Sequence, residues 1–226
     1  MSLLAEITAI FSAMGWASDS VLVRLGLRRS NIFAAMLMSF AVSTACMWSY
    51  LIATTSLEFL SSPAMIYFLI SGCVQPLLAR ALFYEGITRI GVARAGPLRG
   101  TEPFFATIIG VSFLHEERGA LVYIGTILIM TSLWLISGQQ DGAAKWRLLD
   151  TAFPITAALV SATSQSLRKQ GLKILPDPFV AVAIVTTVSL VLFLIFVLTT
   201  GRAKSLRMER QSFSFFLAAA LLATTA

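Results

Sequence analysis

Asp19, Arg80, Glu85 and Glu102 interrupt stretches of sequence that are otherwise apolar. An ionised group in hydrocarbon costs about 2.5 to 3.5 kcal/mol on insertion scales, so each should face a cavity or a partner. A guanidinium offers a fixed fork of donors to a carboxylate or phosphate, which makes Arg80 a candidate anion contact. Asp19, near Trp16, and Glu85 are acids able to take up and release a proton or hold a cation. The plain alternatives are that Arg80 pairs with Glu85 or another acid to neutralise a buried charge, and that α1 ends earlier and Asp19 lies in the interface, paired with Arg24. Glu85 and Arg89 stand at i, i+4 spacing, which predicts an ordinary ion pair on a helix surface. Gln75 and Pro76 lie about one turn before Arg80, and proline removes a backbone hydrogen bond, freeing a carbonyl toward a cavity. Arg94, Arg99 and Glu102 would either line an entrance to such a cavity or snorkel to the interface.

Several other chemistries are excluded. His115 and Glu116 open a zinc-protease motif, but the fifth position is Gly119 and the chain has 1 histidine, so the ligand pair fails and no metal is expected. No glycine-rich phosphate loop precedes a helix, and no cofactor is predicted. Cys46 and Cys73 lie inside apolar stretches and read as small hydrophobes. The net charge is +6 and the pI 9.8, yet the basic residues fall between apolar stretches, which argues against nucleic acid as a partner. Trp48, Trp134 and Trp146 fall near helix ends and fit an interfacial belt.

Those side chains are carried by about eight apolar stretches near twenty residues each, the length that crosses a bilayer. They run from Leu3 to Val23, Ile32 to Ala53, Ala64 to Ile87, Ala95 to Leu114, Ala120 to Ile136, Leu149 to Leu167, Phe179 to Thr199 and Phe213 to Ala226. With 57% apolar and 12% charged residues and a mean hydropathy of +0.83, almost no room remains for a soluble domain. Spanning backbone must satisfy its own hydrogen bonds, and uninterrupted apolar runs favour helices over a barrel. The expectation is an all-α, multi-pass protein of the cell (inner) membrane, its first stretch a retained helix and not a signal peptide.

Basic residues follow the first, third, fifth and seventh stretches: Arg24, Arg28, Arg29; Arg89, Arg94; Lys145, Arg147; Arg202, Lys204, Arg207 and Arg210. The loops of the other parity hold Arg118, and Arg168, Lys169 and Lys173 around the end of the sixth. That bias alone places the N-terminus outside the cytoplasm.

Ser18 to Leu27 (SDSVLVRLGL) and Thr163 to Leu172 (TSQSLRKQGL) share Leu22 with Leu167, Gly26 with Gly171 and Leu27 with Leu172, and pair Arg24 with Lys169. Both segments end an apolar helix, after five helices have intervened. A repeat unit with an odd number of spans inserts its second copy upside down, giving inverted five-helix repeats. Residues 1–138 would form the first and 149–226 an incomplete second, lacking roughly 60 residues of a full copy. In the fourth helix, Gly96 with Gly100 and Ala106 with Gly110 are small-xxx-small pairs for close helix packing, or for a homodimer contact.

The run Ala79 to Glu117, ARALFYEGITRIGVARAGPLRGTEPFFATIIGVSFLHEE, resembles the third-to-fourth-helix region of the EamA-type drug/metabolite transporter superfamily. Pro103 and Glu116 fall on that family's fourth-helix positions, and Ala120 to Ser137 resembles its fifth helix. The resemblance implies ten helices in two inverted repeats, a central polar cavity and a small-molecule substrate, often exported. Two departures stand out: the family's N-terminus is usually cytoplasmic with a basic loop after the second helix, whereas Thr54 to Ser62 has no Lys or Arg, and helices nine and ten are missing. The reading that follows is a secondary transporter, an exporter or exchanger of a small polar or amphipathic metabolite, with no enzymatic chemistry. Its substrate residues are Trp16, Asp19, Arg80, Tyr84 and Glu102, and its proton-coupling candidates Asp19 and Glu85. The rivals are a truncated, non-transporting membrane interaction protein and an intramembrane enzyme acting on lipid.

Overall fold

The computed structural model describes residues 3–55, 57–114, 119–138, 147–206 and 208–225, and among them there is no strand. The helices are α1 (Leu3–Leu27), α2 (Ile32–Thr54), α3 (Ala64–Val74), α4 (Leu77–Ile90), α5 (Val92–Arg99), α6 (Glu102–Ser112), α7 (Ala120–Gly138), α8 (Ala152–Ile174), α9 (Pro178–Thr199) and α10 (Arg210–Thr225). Short 3-10 turns precede α3, α8 and α10. The protein is an all-α membrane protein. Three paths are long and apolar enough to cross a bilayer by length and composition: Ile32–Thr54, Ala64–Ile90 and Pro178–Thr199. Glu6, Asp19 and Arg24 in α1 and Arg168, Lys169 and Lys173 in α8 make those two helices more polar.

Two of the anticipated spans are broken. The third divides into α3 and α4 at Gln75 and Pro76, where the missing proline N–H leaves the Gly72 carbonyl without its helical donor. Ser189 of α9 replaces it, its Oγ donating to Gly72 O at 2.7 Å and accepting from Leu77 N at 3.4 Å. Irregular backbone at membrane depth is tolerated where a neighbouring helix re-satisfies it in this way. The fourth span divides into α5 and α6 at Gly100 and Thr101, just before Pro103.

Other boundaries move outward. α1 runs on to Leu27 and α8 from Ala152 to Ile174, so Arg24, Arg168, Lys169 and Lys173 are helical residues, correcting their placement in loops. Lys and Arg are good helix formers, and what ends α8 is Leu175 preceding Pro176. His115, Glu116, Arg118, Lys145, Trp146 and Arg207, together with the Trp134 and Lys204 side chains, lie outside the described residues.

α1 packs chiefly on α10, and α8 on α3, α4 and α6, while α2 lies against α9 and α10 and α9 also against α3. Buried Phe40, Tyr84, Ile87, Phe193 and Phe216 centre one core cluster, and Leu51, Phe68, Val180 and Val185 the other. Gly26 of α1 sits against the Phe216 ring of α10, and Gly171 of α8 against the Phe68 ring of α3. A Cβ at either glycine would fall within 3.0 Å of the ring, so each is a notch that no larger residue fits unmoved. A Cβ at Gly96, by contrast, would meet nothing within 4 Å, so close packing falls at Gly26 and Gly171, not at the anticipated Gly96 pair.

One end of the bundle is tied by polar contacts. Arg24 Nη1 donates to Ile87 O at 2.9 Å, Ser212 Oγ to Gly26 O at 3.1 Å, and Arg29 to Gln211. Arg89 bridges Glu85 on its own helix and Asp150, 3.0 Å away, before α8. The Arg147 backbone N–H and then the Arg89 guanidinium hold the Asp150 carboxyl below the usual carboxylate range. Trp48 reaches inward, its Nε1 donating to Thr187 Oγ1 at 2.8 Å, and is no simple member of an interfacial belt.

Candidate functional site

Trp16 and Asp19 stand three residues apart on α1, and Arg80 and Tyr84 four apart on α4, so each pair shares a helix face. α2 supplies the third wall with Ser39 and Phe40. Arg80 lies just past the Pro76 break, in the first turn of α4. The Arg80 guanidinium carbon sits 5.8 Å from the centroids of both the Trp16 and the Phe40 rings. A cation against aromatic faces at this range gains about 0.5 to 2 kcal/mol, more as water is excluded.

Asp19 is only 3% exposed, and α1 runs about two turns beyond it to Leu27. Its charge is coupled to that of Arg80, yet the two make no ion-pair contact: the pairs among the described residues are Arg89 with Glu85 and Asp150, and Arg99 with Glu102. Nor does Arg24 reach Asp19, because its guanidinium serves Ile87 O. Asp19 Oδ1 and Arg80 Nη1 are buried without a hydrogen-bond partner, as is Thr44 Oγ1 one turn along α2 from Phe40. Tyr84, buried behind them, has Ser39 beside its hydroxyl and lies within the field of Asp19 and Arg80. Buried polar atoms are ordinarily paired, and each orphan costs about 1 to 3 kcal/mol. Asp19 Oδ1 and Arg80 Nη1 are two such orphans, and both groups act on Tyr84 behind them.

Four of the five anticipated substrate residues thus come together: Trp16, Asp19, Arg80 and Tyr84. Glu102 does not join them. It is bonded to Arg99 on its own path and to Gln165 of α8, and Arg99 also reaches Ser161. Glu85 is held by Arg89 at the tied end of the bundle, half-exposed and apart from Asp19. Sequence reasoning misses Ser39 and Phe40 because α2 reads as an unbroken apolar span. Their signal is the recurrence of Ser39, Ser43 and Thr44 on so greasy a helix.

Among the described residues no group of acids, histidines or cysteines is placed to hold a metal ion. What the arrangement offers is a donor, an acceptor, hydroxyls and aromatic walls at a helix break, the chemistry of binding. Residues 3–138, more than half of the chain, match the model of the EamA-like transporter family. The chain belongs to that family. Within this EamA-like chain, the match covers α1 to α7 and therefore the whole Asp19 and Arg80 cluster. No curated protein matches the sequence. Membership makes this an integral membrane transporter of the drug/metabolite type, which takes a small molecule as its substrate.

Proposed function

We propose that this EamA-like protein is a secondary transporter that exports or exchanges a small polar or amphipathic metabolite by alternating access, binding it between α1, α2 and α4. One observation carries the reading: the Arg80 guanidinium set 5.8 Å from both the Trp16 and the Phe40 rings, with Arg80 Nη1 and Asp19 Oδ1 buried and unpaired. Asp19 is the proton-coupling group, because it is buried beside Arg80 without being neutralised by contact, whereas Glu85 is committed to Arg89.

Alternating access needs two units able to rock about the site, and inverted five-helix repeats over 1–138 and 149–226 would supply them. Several matched features support that division. Gly26 against Phe216 corresponds to Gly171 against Phe68, each a helix of one unit notched onto the third span of the other. Asn31 caps α2 and Asp177 caps α9 through their side chains. Ser43 of α2 bonds Thr224 of α10 at 2.7 Å, as Ser189 of α9 bonds Gly72 of α3.

Proteoliposomes carrying the protein and loaded with radiolabelled amino acids, carboxylates and nucleosides test the proposal. The wild type should move at least one of these down a gradient, and both Asp19→Asn and Arg80→Ala should lose that flux. Undiminished flux in both variants would remove the cluster as the binding site.

A further inference from the structure

We infer that the tied end of the bundle is a docking surface for the headgroups of acidic phospholipids, built from the turn between α1 and α2 and the turn between α9 and α10. The two turns lie far apart in the chain, and side-chain contacts join them. Arg29 donates to Gln211 in the first turn of α10, and the Arg202 guanidinium carbon sits 5.4 Å from the centroid of the Phe33 ring in the first turn of α2. Arg28, Arg29, Arg202 and Arg210 are thereby gathered about the α1–α2 turn, and all four are exposed.

Their charge is not answered locally. Glu209 is the sole acid in residues 24–33 and 198–213. Gln211 and the Phe33 ring, which hold Arg29 and Arg202, are neutral, and none of the ion pairs among the described residues includes Arg28 or Arg210. Further round the same end, Arg89 and Arg147 stand beside Glu85 and Asp150, Arg24 is turned onto Ile87 O, and Arg94 is itself engaged. The uncompensated charge therefore belongs to these two turns. Immediately inward from them the surface becomes apolar: Phe196 and Leu198 in the last turn of α9 and Phe213 in the first turn of α10 are exposed. Phe196 stacks on the Phe33 ring that carries Arg202, their centroids 6.4 Å apart. An occupant that satisfies both levels needs phosphate oxygens for the guanidinium forks and hydrocarbon for the side chains beneath, the order in which a phospholipid stands in a bilayer. A free inorganic anion would use the arginines and gain nothing from the rings. A zwitterionic lipid brings the same hydrocarbon but carries its own cation, so the preference is for acidic headgroups.

The full chain, purified in dodecyl maltoside, is incubated with equal amounts of phosphatidylglycerol and phosphatidylcholine of the same acyl chains, and the lipid retained after gel filtration is measured. Phosphatidylglycerol should be enriched about tenfold over phosphatidylcholine. In the double variant Arg28→Gln, Arg202→Gln the enrichment should fall about fivefold or more, since each arginine near an acidic surface contributes a factor of about that size. Arg147→Gln combined with Lys173→Gln removes two charges from elsewhere on the exposed surface and should keep the enrichment of the wild type. Equal retention of the two lipids by the unmodified protein, or undiminished enrichment in the Arg28 and Arg202 variant, would overturn the surface, and the first of these needs no variant to fold. Excess inorganic phosphate should leave the lipid in place. Release of the lipid by phosphate would reassign the arginines to a free anion and likewise overturn the proposal. Because Asp19 and Arg80 take no part, failure of the transport proposal leaves these outcomes unchanged.

Discussion

Arg80 shows how one side chain can carry a cost that its surroundings meet only in part. A half-buried cation without an ion-pair partner is unfavourable, and here two ring faces and a nearby carboxylate offset part of that cost. The plane of the guanidinium is what both rings and an anion would use, so charge alone is not enough. Arg80→Lys should retain some transport while raising the half-saturating substrate concentration about tenfold, and Arg80→Ala should abolish saturation. Matching transport curves for Arg80→Lys and the wild type would mean that the planar fork is not engaged. Trp16, Asp19, Arg80 and Tyr84 are legible in the sequence because charge and aromatic bulk inside an apolar run have few innocent explanations. Phe40 and Ser39 are not, since phenylalanine and serine are unremarkable in such a helix. Glu102 is misjoined for a different reason: spacing gives the face of a helix, and says nothing about which neighbour that face meets.

Among the elements, the breaks matter more than the spans. Pro76 announces its own kink, yet the hydroxyl that heals it comes from Ser189, 117 positions away from the Gly72 carbonyl it serves. The ends of α1 and α8 are misplaced when charge is read as a stop signal. The glycine notches follow from the same limit. Gly96 and Gly171 look alike in sequence, but only Gly171 has a ring where its Cβ would stand. Gly171→Leu should lower the melting temperature in detergent, an overpacking cost of about 1 to 3 kcal/mol, and Gly96→Leu should leave it nearly unchanged. A Gly171→Leu protein as stable as its parent would show that Phe68 swings aside freely.

At the scale of the whole molecule, the helices closest in sequence are not the closest partners. α1 touches α2 only lightly and depends on α10, with Gly26 O receiving the Ser212 hydroxyl from 186 residues further along the chain. No periodicity within a single helix reveals that arrangement, which is why the spans are readable from sequence and their neighbours are not. It also bears on how the protein is made. At about 5 to 20 residues per second, the ribosome needs roughly ten to forty seconds to deliver Ser212 after Gly26 has emerged. For that interval α1 lacks the helix it packs on most, and the insertion machinery covers that face. Nascent chains arrested before Arg210 should therefore crosslink from position 26 to the insertase, and chains carrying a linker after Ala226 should crosslink to α10 instead. An identical pattern at both lengths would show that the first helix settles alone.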